Sequence, residues 1–272
     1  MEDGWQLAGQ NCWSAAVLEA LHVSKSYTQG RWYSRKKFSI AALNDVSLKI
    51  DTCSTLALIG ESGAGKSTLG RCLSGLETPD SGEVRFEGRN LFTLPPKDVR
   101  AIRRKIQFVF QDAAAALNPR FSACDAIEEP LLIQNMLPRK ERRRRTLETM
   151  EQVGLSIQSA PRSILEFSGG QRQRLAIARA LVLKPRLLVL DEGLSSLDFD
   201  TQARLTKLLL DLRVRFELSY LFITHDLRLA ARMADHIAVM QRGAIVECGK
   251  ADALFAKPQH PYTQSLLQAT PG

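Results

Sequence analysis

The order of segments along the chain predicts an α/β fold on a mainly parallel sheet, with a helical lobe inserted into it. Three observations carry this. "STLALIG" at 54–60 is a short apolar run that ends in glycine and opens, through a glycine-rich loop, onto the helical pattern "STLGRCLSGL". From Leu187 onward, short apolar runs alternate with amphipathic segments, the rhythm of strand–helix–strand crossovers. Between Gln111 and Leu187 no strand pattern occurs.

The elements follow in order. Residues 1–16 are small and polar with no period and read as a tail. "VLEALHV" (17–23) and "AALNDVSLKI" (41–50) alternate apolar with polar positions and read as strands. The polar, basic "TQGRWYSRKKFS" between them reads as a hairpin-type connection. "EVRFEG" (83–88) and "KIQFVFQ" (105–111) are further strands. The interval 112–165 reads as helices broken at "LNPR", "EEPL", "MLPR" and "SAPRS". In "EFSGGQRQRLAIARAL" (166–181) the glycine pair opens a strongly periodic helix that runs to about Leu183. "PRLLVLDE" (185–192) is a buried strand, followed by a helix (201–215), the strand "LSYLFITH" (218–225) and a helix (227–234). Short strands at 237–240 and 244–248 come next, then a proline-broken helical appendage. The division is a tail 1–16, a core 17–111 and 169–249, a lobe 112–168 and an appendage 250–272.

Composition narrows the function classes. With 272 residues, 44% hydrophobic and 24% charged, the chain can bury a full core. Aromatics are only 7%, which argues against a surface built to stack bases. The net charge of +8 keeps nucleic acid or an acidic membrane surface in view. "RKERRRR" at 139–145 holds six cations in seven positions; a solvated helix face is the plainer reading, anionic lipid the sharper one. The cysteines (Cys12, Cys53, Cys72, Cys124, Cys248) are odd in number and never form CxxC, so reduced thiols are expected, with no zinc site or disulfide framework. The acidic start "MEDGWQLAGQNCW" reads as no signal peptide, and no stretch approaches the roughly 18 apolar residues of a membrane span.

The chemistry-bearing residues cluster at predicted strand ends. Gly60, followed by Gly65, Lys66 and Ser67, has the spacing of a phosphate-binding P-loop between strand and helix. The glycines let backbone N–H groups of the loop curl around phosphates, so Glu61, Ser62, Gly63 and Ala64 line the cradle, and Thr68 continues it into the helix. Lys66 would reach β and γ oxygens, and the Ser67 hydroxyl would ligate Mg²⁺. Asp191 closes a buried strand, where a carboxylate is costly unless it faces a cation, so it fits the Mg²⁺ shell. Glu192 is one residue further and points elsewhere, where it can polarise an attacking water. His225 reaches the same sheet edge and is placed for the γ-phosphate, although a lone histidine is more often structural. Gln111 ends "FVFQ" and can sense Mg²⁺ and the attacking water; a strand-capping amide is its plainer reading. Gly169 and Gly170 form a second helix start, and helix N-termini bind anions.

The P-loop, Gln111, "FSGGQ", "LLVLDE", "SSLD" and His225, in this order and spacing, resemble the ATP-binding subunit of an ABC transporter. The likeness runs from Val17 through nearly all of the remaining chain. It implies a P-loop NTPase cassette with a mainly parallel core sheet, an antiparallel β subdomain and an inserted α-helical subdomain. It also implies ATPase activity, with ATP and Mg²⁺ as cofactors, and a head-to-tail pair with a second ATP-binding subunit, identical or homologous. In such a pair Ser168, Gly169, Gly170 and Gln171 of one chain grip the γ-phosphate held by the other's P-loop, which accounts for two glycine loops in one chain. By the same resemblance Tyr27, in "SKSY", stacks on adenine and Asp198, in "SSLD", links the two sites. Gln111 becomes the hinge of a lobe that meets two transmembrane permease subunits.

"VFQDAAAALNPR", "EFSGGQRQR", "THDLRLA" and "HPYTQSLL" are similar to the peptide/nickel importer branch. That branch implies a peripheral subunit on the cytoplasmic face of the cell membrane, powering import of peptides, nickel or metal chelates delivered by an extracytoplasmic binding protein. Gly193 departs from the proline usual after the catalytic glutamate, which is expected to loosen that turn; Ala113–Ala116 is smaller than usual after Gln111. The cysteine cluster many members carry beyond "HPYT" has no counterpart before Gly272, so no iron–sulfur cluster is expected. Exporter or lipoprotein-release cassettes are the alternative, opposed by the "HPYT" tail. A nucleic-acid ABC ATPase is a further one, opposed by the lack of long coiled coils, zinc cysteines or a second cassette; no nucleic-acid partner is expected.

Overall fold

β1 (Ala16–Gln29) and β2 (Phe38–Asp51) pair antiparallel from Ala16↔Asp51 to Gln29↔Phe38. The computed structural model describes residues 16–29, 38–112, 116–194 and 197–269. Both strands run longer than their alternating cores, because backbone pairing carries on through polar Ser26, Thr28 and Ser39. Of the connection expected at 28–39, Thr28, Gln29, Phe38 and Ser39 belong to the strands and 30–37 lie outside the described residues.

β3 (Thr55–Ile59) leads through the glycine loop to α1 (Lys66–Leu73), and β4 (Ser81–Phe86) and β5 (Arg89–Asn90) complete an antiparallel sheet of order β2-β1-β4-β5. α2 (Pro96–Lys105) then precedes β6 (Ile106–Val109). Pro96 sits in the first turn, Asp98 faces the positive helix end, and Arg103, Arg104 and Lys105 face the negative end.

In the lobe, α3 (Ala123–Ile133) is capped by Ser122 and α4 (Arg139–Gln152) starts after Pro138. The break expected at "EEPL" does not occur: α3 continues through Pro130. Only the bond to the Ala126 carbonyl is forfeited there, while buried Ile127 and Leu131 hold the helix on the core. In the basic run, Arg142 pairs across to Glu128 of α3 at 3.1 Å and Arg144 pairs with Glu148 of its own helix at 2.6 Å, so part of this charge is matched within the lobe. α5 (Gly169–Leu181) packs against both lobe helices.

The remaining elements are β7 (Leu187–Asp191), α6 (Phe199–Phe216), β8 (Ser219–Ile223), α7 (Leu227–Met233), β9 (His236–Gln241), β10 (Ala244–Lys250), α8 (Ala251–Ala256) and α9 (Pro261–Gln268). The second sheet has the order β10-β9-β3-β8-β7-β6, parallel except for β9–β10. β3, β7 and β8 are buried at every position, as parallel strands covered on both faces must be.

Side-chain alternation divides the core in two. Leu56 and Leu58 of β3, with Val189 and Ile223, face α1 and the antiparallel sheet. Ala57 and Ile59, with Leu190 and Phe222, face α5, α6 and the lobe. Fully burying each such Leu, Ile or Phe contributes about 1.5–3 kcal/mol. The sheet therefore holds the P-loop helix on one face and the second glycine helix on the other.

Candidate functional site

The carboxyl ends of β3, β6, β7 and β8 form one edge, and the sequence candidates gather there. Glycine is demanded by the space: a β-carbon at Gly60 would lie 2.2 Å from the Met240 carbonyl oxygen. At Gly65, which has φ +104, it would lie 2.3 Å from that of Ala42. Ala64 donates its N–H to the Glu61 carbonyl, which curls the loop; Ser62 and Gly63 are exposed at its tip.

Lys66 is 5% exposed and folds back, its Nζ donating to the carbonyls of Gly60 at 2.7 Å and Glu61 at 2.8 Å. Burial pushes its pKa down, against the pull of Glu192, Asp191 and Glu61. Ser67 Oγ donates to Asp191 Oδ1 at 3.0 Å. Burial pushes the Asp191 carboxyl up, opposed by that hydrogen bond. The pair is a buried carboxylate beside a hydroxyl, two hard oxygen donors.

Glu192 follows in the left-handed region at φ +47. Its Oε2 accepts from Gln111 Nε2 at 2.8 Å, and His225 Nδ1 lies 3.5 Å from Oε1. Tyr27 is half-buried, with its hydroxyl 3.5 Å from Thr68 Oγ1, the outer limit of a hydrogen bond.

Ser168, Gly169, Gly170 and Gln171 form a second group. Ser168 caps α5 by accepting from the Gln171 N–H, and Gln171 Oε1 accepts from the Ser168 N–H at 3.0 Å. Asp198 caps α6 by accepting from the Thr201 N–H at 2.9 Å, which holds its carboxyl below the usual range. The two caps adjoin: a β-carbon on Gly170 would lie 2.5 Å from Thr201 Cγ2. Among the described residues no hydrogen bond or ion pair joins 168–171 to the P-loop.

Gly193 departs from the expected loose turn. It is buried, and a β-carbon there would come 2.7 Å from Gln173 Nε2, so this turn is close-packed against α5. Sequence reasoning passes over Gln173, whose place in "SGGQRQR" is the available signal. It also passes over Tyr262 of "HPYT", whose hydroxyl accepts from the Glu61 N–H at 3.1 Å.

Residues 43–195 match the family described as ABC transporter. The chain belongs to that family. A further match, over residues 246–272, is to the oligopeptide/dipeptide transporter C-terminal region. The dipeptide transport ATP-binding protein DppF of Haemophilus influenzae is 44% identical over 94% of this chain and 78% of its own length. The glutathione import ATP-binding protein GsiA of Escherichia coli is 47% identical over 85% of this chain and 37% of its own length. Among solved structures, the dimeric ATP-binding cassette MJ0796 bound to ADP and Pi superposes with a TM-score of 0.76 at 31% identity, over 86% of this chain and 98% of that one. This ABC cassette is an ATPase that uses ATP. Among the described residues no helix is long and apolar enough to cross a membrane.

Proposed function

We propose that this chain is the motor subunit of an importer for small peptides, one of a head-to-tail pair of cassettes docked under two permease subunits on the cytoplasmic face of the membrane. The observation that carries the reading is the tail, which matches the C-terminal region of oligopeptide/dipeptide transporters on a chain 44% identical to a dipeptide transport subunit. An extracytoplasmic binding protein would deliver the cargo. Nickel or a metal chelate is the other cargo class of the branch that the sequence resembles.

In this reading the P-loop N–H groups take the β and γ phosphates, which also give the buried Lys66 ammonium the anion it lacks. Ser67 hydroxyl, Asp191 carboxylate and the Gln111 side-chain carbonyl would hold Mg²⁺; all are the hard oxygen donors it prefers, and the buried Asp191 fits a cation. When bound, the ion would neutralise charge on the phosphate oxygens. Glu192 takes the proton of the attacking water, oriented by Gln111 and His225. With Nδ1 toward Glu192, the His225 Nε2 is the atom left for the γ-phosphate. Tyr27 stacks on adenine. Ser168, Gly169, Gly170 and Gln171 serve the partner's nucleotide, and Asp198 joins the two sites.

Coupling runs through the start of the lobe after Gln111. Of the docking stretch 113–120, positions 113–115 lie outside the described residues, and Asn118, Pro119 and Arg120 are exposed. Arg120→Glu should leave hydrolysis by the purified cassette unchanged and stop uptake by vesicles that hold the permeases. Uptake is read with a dipeptide, a longer peptide and a metal chelate in parallel. Copurification with nucleic acid and never with a permease contradicts the reading.

A further inference from the structure

The appendage is not a loose tail. Both Glu247 carboxylate oxygens accept backbone N–H groups, from Gln259 at 2.9 Å and His260 at 3.0 Å. His260 Nδ1 accepts from the Tyr262 N–H at 3.2 Å and so caps α9, Thr263 is fully buried, and Tyr262 and Leu267 pack on the core. The Tyr262 phenol is thereby fixed in place, and what it meets is the P-loop. Glu61 is held from both ends: its N–H donates to the Tyr262 hydroxyl, and its carbonyl accepts from Lys66 Nζ. A phosphate that takes Lys66 loosens the second hold and leaves the first untouched.

We propose that Tyr262 is a positioning residue of the nucleotide site, its hydroxyl fixing the Glu61 peptide so that docking of the appendage sets ATP affinity. This rests on reading Gly60–Ser67 as the phosphate cradle. Core packing alone would be served by phenylalanine; the hydroxyl is what reaches the loop.

The full chain is tested as Tyr262→Phe, which keeps the ring. Loss of one neutral hydrogen bond should weaken ATP binding about two- to tenfold, with kcat and melting temperature little changed. Amide hydrogen exchange at Glu61 should quicken, a readout that lost packing elsewhere does not move. Glu247→Ala, which frees the appendage by another route, should do the same, and the double variant should be no weaker than the worse single one. Lys66→Ala is the control: if it binds ATP as the wild type does, the cradle reading fails and this proposal with it. If Lys66→Ala is dead while Tyr262→Phe keeps wild-type affinity, or weakens ATP with Glu61 exchange unchanged, this proposal alone is overturned.

Discussion

At Gly65 the chain turns into α1 with its functional side chains engaged, Lys66 on the loop carbonyls and Ser67 on Asp191. At Ser168 it turns into α5 with only its own capping box satisfied, and Ser168, Gly169 and Gln171 are exposed. Both turns are helix N-termini with N–H groups to offer an anion. The difference lies in what converges on them. Four parallel strands end beside the first and bring Asp191, Glu192, Gln111 and His225; the second has Asp198 on the adjoining cap. A helix start becomes a full site when other elements deliver charge to it. In the proposed pair, the second turn is the half of a site that another chain completes.

The largest test of this contrast is Glu192→Gln. It leaves the cradle's phosphate contacts in place, so ATP should bind normally while hydrolysis falls by about 10²–10⁴. Bound ATP should then draw two cassettes together, read as an ATP-dependent shift in gel filtration. Near-normal turnover removes Glu192 as the base.

A smaller effect sharpens the cradle side alone. Tyr27→Ala should weaken ATP binding about tenfold, since stacking on a base is worth roughly 1–3 kcal/mol, and Tyr27→Trp should restore it. Unchanged affinity in the alanine variant, by calorimetry, takes Tyr27 out of the adenine site.

The smallest effects differ in sign between the two turns. The Asp191 carboxyl is raised by burial, so its charge costs folding free energy at neutral pH, a cost that fades as pH falls through the folded pKa. Asp191→Asn should raise the melting temperature of the nucleotide-free protein by about 2–4 °C near pH 7, less in acid, while hydrolysis is lost. Ser168→Ala removes a helix cap worth about 1 kcal/mol and should lower it by a similar amount.

Much of this arrangement is legible in the amino-acid sequence. Short, wholly apolar runs bounded by turn residues, such as "LLVL", suit a covered parallel strand, and the P-loop spacing marks the strand–helix turn where an anion is expected. What escapes a reading of the residues is long-range or conformational. The Tyr262–Glu61 contact joins residues 201 positions apart and leaves no local pattern. The left-handed backbone at Glu192, and the tight fit of Gly193 against Gln173 of α5, have no signal in the local sequence. α2 is hidden because two prolines at 95–96 suggest a loop, although proline, an early acid and three late cations are helix-boundary signals. Pro130 misleads in the opposite direction, because one lost hydrogen bond is outweighed by a buried helix face.

The central claim is that the Ser168 turn completes a site on another chain. It is tested most directly in pairs of this chain with itself, one member carrying Lys66→Ala and the other Ser168→Arg. Both lesions then fall in one composite site and the other is intact. Purified mixed pairs should retain hydrolysis, whereas pairs with either lesion on both members have none. Complete inactivity of verified mixed pairs would contradict the shared-site arrangement.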